Sequence, residues 1–404
     1  MSETSTDFVE SRRNLFNVFL TFLRLGLTSF GGPIAHIGYF RKELVERQHW
    51  VSEVQFSQLI AISQFLPGPA SSQLGFALGL LRAGWFGAFA AFLAFTLPSA
   101  LLLIGFASLL PFLSGPVSGA VIHGLKLVAC AVVADAVLGM ARKLCPDVPR
   151  QGIALIAASI LLLAGTAWFQ VFVIIGGAVA GVMLCHSAIE NHEVNLHPDF
   201  GKRSGIILFV IFIALLLGLP VLASQGGLFA LAETFYRSGA LVFGGGHVVL
   251  PLLEESVVQT GWVTREDFLA GYGASQAIPG PMFAFAGYLG SIIPTAHGSW
   301  AGASVALIFI FLPGFLLIAA TLPMWVMIAH NQRATNAIAG VNAAVVGLLA
   351  AALYDPILTS GITTGSDLAI ALIGFGMLTI WRLSPLLVVA WCVAASLSMH
   401  YIML

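Results

Sequence analysis

Of the 404 residues, 58% are hydrophobic and only 9% are charged, and the formal net charge is −1. Soluble domains carry about 25% charged residues, so the composition excludes an ordinary soluble domain and indicates a polytopic membrane protein. The near-neutral balance gives no electrostatic footprint for nucleic acid. The four cysteines, Cys130, Cys145, Cys185 and Cys392, are scattered without a C-x-x-C pair. They read as small apolar packing residues, not as a metal site or a disulfide framework. No metal and no cofactor is expected.

The chain opens on MSETSTDFVESRRN, which is polar, and no early apolar run with an A-x-A cleavage site follows, so no cleaved leader is read. Runs apolar enough for a bilayer then lie near 14–36, 53–81, 83–110, 118–141, 151–165 and 168–186. A polar stretch from about His186 to Ser204 precedes a lone run, 204–223. The second half adds 226–246, 264–293, 298–329, 334–355, 367–381 and 384–402. The expectation is an all-α protein with about thirteen transmembrane segments, or about eleven if two proline-broken segments are re-entrant. With the longer count and a cytoplasmic N-terminus, Arg12, Arg13, Arg82, Arg142, Lys143, Arg150, Lys202, Arg203, Arg265, Arg333 and Arg382 fall inside. Arg41, Lys42 and Arg47 fall outside, diluted by Glu43 and Glu46.

One phrase occurs in both halves: SQFLPGP at 63–69 and SQAIPGP at 275–281. More matches accompany it in the same order. Arg24 corresponds to Arg237, Phe30-Gly31-Gly32 to Phe243-Gly244-Gly245, Glu43 to Glu255, and Trp50-Val51-Ser52 to Trp262-Val263-Thr264. Gly75 corresponds to Gly287, and Trp85 and Pro98 to Trp300 and Pro313. The chain is therefore a duplicated unit. Residues 1–190 form the first repeat, 191–225 a linker with one connecting helix, and 226–404 the second repeat. Six crossings per repeat plus one connector would invert the second copy. Inverted repeats with paired, Gly/Pro-interrupted helices are the layout of secondary transporters, whose site lies at the repeat interface.

The breaks suggest the ligand. A helix restarting after Pro67-Gly68-Pro69 presents free N–H groups and a positive dipole end, which favours an anion. Ser71, Ser72 and Gln73 follow this break with hydroxyl and amide groups, whereas Phe283, Ala284 and Phe285 follow Pro279-Gly280-Pro281. Polar contacts are thus expected mainly on the first copy, and a hydrophobic gate or wall on the second. Arg24 and Arg237 sit inside apolar runs, where arginine is costly. With no carboxylate read on the same helical face, they are candidates to supply two positive charges to a dianion. The glycines at 31–32 and 244–245 suit an anion nest or close helix contact. His36 and His247 stand nearby at non-matching positions and read as local hydrogen-bonding residues. Ser52 with Gln55, and Thr264 with Asp267, read as helix caps. Glu43, Glu255, Lys126 and Asp135 are the candidate coupling groups.

On R-x5-FGG at Arg24–Gly32 and Arg237–Gly245, W-V-[ST] at 50–52 and 262–264, and SQ-x-x-PGP in both halves, the sequence resembles the chromate ion transporter family in its long, two-domain form. The resemblance covers essentially the whole chain. It implies export of chromate across the cytoplasmic (inner) membrane, giving chromate resistance, with sulfate as the competing oxyanion. Its motif residues fall here on Arg24, Gly31, Gly32, Gln64, Pro67, Gly68 and Pro69, and on Arg237, Gly244, Gly245, Gln276, Pro279, Gly280 and Pro281. A dianion leaving an inside-negative cell gains about 4.6 kcal/mol per 100 mV, so membrane potential or a proton motive force suffices as the drive. No Walker-type motif is present. A homodimer is compatible with the chain. The alternatives are a sulfate or other oxyanion transporter, an anion channel, and an intramembrane enzyme; the last lacks a grouped acid/base or nucleophile set.

Overall fold

The computed structural model describes residues 3–112, 115–164, 167–186, 200–243, 246–325 and 331–402, and these contain helices and no strand. In the first half the helices are α1 (Glu3–Thr28), α2 (Gly32–Phe40, continued by a π-helical turn Arg41–Arg47), α3 (Glu53–Phe65), α4 (Ala70–Leu109), α5 (Pro116–Leu144), α6 (Val148–Ala164) and α7 (Ala167–Leu184). α8 (Lys202–Ala223) connects the halves. The second half holds α9 (Gly227–Leu241), α10 (Val249–Leu253, continued by a π-helical turn Glu254–Val258), α11 (Arg265–Ser275), α12 (Phe285–Ile292) and α13 (Ser299–Thr321). It ends with α14 (Gln332–Ala352, continued by a π-helical turn Leu353–Leu358), α15 (Gly365–Thr379) and α16 (Pro385–Ile402). Among the described residues, α4, α5, α8, α13 and α14 are long and apolar enough to cross a membrane. α8 turns Ile206, Ile207, Phe209, Val210, Leu217 and Val221 outward, as a lipid-facing helix does.

The expected caps are present. The Ser52 hydroxyl accepts from the Gln55 N–H, and the Gln55 side chain accepts from the Ser52 N–H, closing a capping box on α3. Thr264 caps α11 through the Asp267 N–H. Each proline-glycine break follows such a capped helix, so α3 and α11 are short by design of the sequence: a start signal, a few turns, then Pro-Gly-Pro.

The segment 53–81 does not cross as one broken helix. α3 has 13 residues, about 20 Å at 1.5 Å per residue, against a hydrocarbon core of about 30 Å. The Arg82 guanidinium lies 5.5 Å from the centre of the Trp50 ring, so the far end of the arm 70–82 returns to the start of α3. α4 then bends at Ala83–Gly84, and Gly79 meets Gly87 backbone to backbone across the bend. The run 14–36 folds back too. Gln48 donates to Thr21 at 3.2 Å and Phe22 packs edge-on to Phe40, so α2 runs back along α1 from the turn at 29–31. A folded-back pair of short arms has the same apolar length as one span, so hydropathy alone does not tell the longer count from the shorter one. The second half repeats the arrangement. The Tyr288 hydroxyl on α12 donates to the Asp267 carbonyl at the start of α11.

The halves interlock reciprocally. α5 packs against α15 and α16 of the second half, and α14 packs against α6 and α7 of the first. α1 lies on α4 through Gly26 and Phe95, and α9 lies on α13 through the equivalent Gly239 and Ile310. Phe92 and Phe76 of α4 both reach Phe315 of α13, while Phe106 reaches Tyr288 of α12.

Candidate functional site

The Pro-Gly-Pro turns meet at the centre, each repeat docked on the other. The Gly68 N–H donates to the Val242 carbonyl at 2.7 Å, and the Gly280 N–H donates to the Ser29 carbonyl at 2.9 Å. Ser29 and Val242 are equivalent residues, one place before the matched Phe30 and Phe243. Thus the Pro-Gly-Pro turn of each repeat binds the residue that precedes the Phe-Gly-Gly phrase of the other. Gly68 and Gly280 have φ of 122° and 102°, values that favour glycine. Space requires it as well. A Cβ on Gly68 would lie 3.0 Å from Gly314 Cα, and one on Gly280 would lie 2.8 Å from Ser99 Oγ. Gly314 and Ser99 are again equivalents, just after Pro313 and Pro98. Pro33 and Gly246, which follow the two glycine pairs, approach each other at the middle.

The first tip is polar. His36 Nδ1 lies 3.3 Å from Ser71 Oγ, and its ring also faces the Ser29 backbone. Gln73 Nε2 donates to the Pro67 carbonyl at 2.9 Å and to the Gly314 carbonyl at 3.1 Å. This bonding fixes the amide, with its nitrogen toward two carbonyls. Ser29, His36, Ser71, Ser72, Gln73, Thr96 and Ser99 are all buried. Five of their atoms have no hydrogen-bond partner: Ser29 Oγ, His36 Nε2, Ser72 Oγ, Gln73 Oε1 and Thr96 Oγ1. Buried polar groups are normally paired, so these atoms have hydrogen-bonding capacity that the protein itself does not use. Ser71, Ser72 and Gln73 lie on the first turn of α4, with His36 against Ser71, and the first N–H groups of that helix have no helical acceptor.

The second tip is apolar at every corresponding place. Val242 stands for Ser29, Phe283-Ala284-Phe285 for Ser71-Ser72-Gln73, Phe311 for Thr96, and Val248 and Val249 lie where His36 does. Phe283 packs on Phe311 at 5.8 Å. His247 is bonded to the Tyr272 hydroxyl at 2.7 Å. Sequence reasoning had Ser71, Ser72 and Gln73 but missed Ser29, Thr96 and the role of His36 beside them. A position-by-position comparison of the two repeats carries the signal: polar in one copy, apolar in the other.

The arginines lie elsewhere, in two separate places. Arg24 is exposed and lines a cavity of about 580 Å³ with Tyr39, Lys42, Glu43, Glu46 and Arg47. Arg237 is held by Glu233 at 2.8 Å, one turn back on α9, so the expectation of no carboxylate on its face is corrected: Glu233 stands at i−4. Gln64 is exposed and accepts from Lys143 at 3.3 Å, and Gln276 donates to Ser275. Gly31 and Gly32 make the left-handed turn before α2, whereas Gly244 and Gly245 lie outside the described residues. Pro67, Pro69, Pro279 and Pro281 frame the two turns. Among the coupling candidates, Glu43 accepts from Arg47 and Gln48, and Lys126 meets Glu266 at 3.7 Å. Asp135 is half-buried on α5. Glu255 is buried with Oε1 unpartnered. No group of metal-ligating side chains occurs among the described residues.

Two helical repeats that join through broken helices, around buried polar groups, define a multi-pass membrane transport protein. A family model described as chromate transporter matches residues 16–182 and 229–397, covering both repeats. The chain belongs to the chromate transporter family. It is 28% identical over 399 residues to the probable chromate transport protein of Synechococcus elongatus, covering 92% of this chain and 93% of that one. It is 28% identical over 357 residues to the chromate transport protein of Pseudomonas aeruginosa, covering 88% and 84%. The chromate transport protein of Cupriavidus metallidurans is 25% identical over 346 residues, covering 84% and 82%. No solved structure matches the chain.

Proposed function

We propose that the protein is a secondary transporter that exports chromate across the cytoplasmic membrane and so confers resistance. The anion sits between the tips of the two repeats, on Ser29, His36, Ser71, Ser72, Gln73 and Thr96 and on the first N–H groups of α4. The observation that carries this reading is the set of five unpartnered buried polar atoms at the first tip. Family membership and the names of the relatives support chromate as the substrate. Hydroxyl, imidazole and N–H donors suit a tetrahedral oxyanion, and sulfate has the same shape and charge.

In this reading the second repeat is inverted relative to the first, with 191–225 as the flipping connector. The reciprocal docking of the turns supports it, as does the run of Phe76 and Phe92 along the late part of α13 while Phe106 meets α12. The short segments 14–47, 53–82, 227–258 and 265–292 are re-entrant hairpins. The N-terminus is cytoplasmic. Re-entry supports this orientation, because it returns Arg41, Lys42 and Arg47 to the N-terminal face and moves only Arg265 outward.

The test is radiolabelled chromate flux in proteoliposomes under an imposed potential, with sulfate as competitor. Potential-driven chromate flux that sulfate inhibits and that falls at least tenfold in Ser72→Ala/Thr96→Val is expected. Sulfate flux without chromate flux would keep the site and change the substrate. Full chromate flux in the double variant would remove the tip site.

A further inference from the structure

The two repeats carry equivalent cavities of opposite charge. The first-repeat cavity holds Arg24, Lys42 and Arg47 with Glu43 and Glu46, so cations outnumber carboxylates. In the second repeat, Glu254 stands where Lys42 does, Glu255 where Glu43 does, and Gln259 where Arg47 does. These three line a cavity of about 180 Å³ with Asp355, Arg265 and Gln170. A π-helical turn, Glu254–Val258, faces across it the break at Asp355, where the backbone is extended (φ −129°, ψ 118°). A π-helical turn and a helix break both displace backbone groups from the regular ladder and recur at functional sites.

The carboxylates are not all neutralised. Glu254 is 4% exposed and meets Arg265 at 3.4 Å. Asp355 accepts from the Thr359 hydroxyl. Glu255 is 8% exposed, and its Oε1 has no partner. The nearby Arg237, which shares a small void with Glu255, is taken by Glu233. The charged and titratable groups facing Glu255 are therefore Glu254, Arg265, Asp355, Tyr354 and Arg237. In the first repeat, by contrast, Glu43 is fully engaged by Arg47 and Gln48. A buried carboxylate oxygen without a donor is costly unless a cation or proton occupies it.

We infer that the second-repeat cavity is a binding site for a monovalent cation, a proton or Na⁺, centred on Glu255 with Asp355 and Glu254. The site goes beyond the anion site, since it involves none of that site's residues. A cation bound here sits between the repeats, because Leu161, Leu162 and Gln170 of α6 and α7 close its other wall. Its occupancy is thereby linked to how the repeats pack.

The purified full chain in detergent tests this without any anion. The thermal midpoint is followed against NaCl, with choline chloride holding ionic strength constant, and separately against pH in choline. Wild type is expected to shift by several degrees in one of the two series, Na⁺ identifying the metal cation and pH the proton. Glu255→Gln should flatten that response while the exposed control Glu53→Gln retains it. Flat profiles in both series for wild type, or an unchanged response in Glu255→Gln, would overturn the site. Because no chromate is present, failure of the transport reading leaves this result readable on its own.

Discussion

A buried hydroxyl without a partner costs about 1–3 kcal/mol, and the first tip holds several. In the proposed reading the anion takes up these groups. Thr96→Val and Ser72→Ala each remove such a group while keeping most of the volume. Each is expected to raise the thermal midpoint of the anion-free protein, corresponding to up to about 1–3 kcal/mol, and to weaken anion binding tenfold or more. Scanning fluorimetry with and without sulfate reads both effects. A loss of stability with unchanged anion binding would make these hydroxyls ordinary core groups. Ser71, Ser72 and Gln73 were legible in the sequence because they adjoin the duplicated Pro-Gly-Pro phrase. Ser29 and Thr96 were not, because what makes them notable is spatial. Their neighbours at the tip come from Gly280, 251 positions beyond Ser29, through the Gly280 N–H bond to the Ser29 carbonyl.

At the scale of elements, the duplicated breaks and the caps at Ser52 and Thr264 could be read directly, since local chemistry fixes them. Chain direction could not. An apolar run near 53–81 is long enough to cross a bilayer, and only the return of Arg82 to Trp50 reveals the hairpin. Arg237 likewise looked unpaired, although Glu233 lay one helical turn away. The hairpins make a labelling prediction. Lys42→Cys and Arg82→Cys should react with a membrane-impermeant maleimide from the N-terminal face alone, and Arg265→Cys from the opposite face alone. Labelling of residue 42 and residue 82 from opposite faces would restore the straight-through crossings.

For the whole molecule, duplication supplies two equivalent tips, of which the first is polar and the second apolar at the corresponding positions; in the proposed reading the polar tip alone holds the anion. A symmetric ancestor would present two polar tips, and like charges so close at the repeat interface would repel each other strongly in a medium of low dielectric. Here the partner tip is Phe283 on Phe311, a wall against which one ligand rests. In the proposed reading, the cavity of Arg24, Lys42 and Arg47 with Glu43 and Glu46, net positive, is a mouth that attracts the anion more through long-range field than through contact. Equilibrium binding of sulfate to the purified chain is therefore expected to saturate at about one anion per chain, the number of polar tips that the geometry leaves. Arg24→Ala should lower the association rate several-fold at low ionic strength, an effect that fades as salt screens the mouth, while the stoichiometry stays the same. Two anions per chain, or a loss of all binding in Arg24→Ala at any salt concentration, would move the binding site from the tips to the arginine cavities.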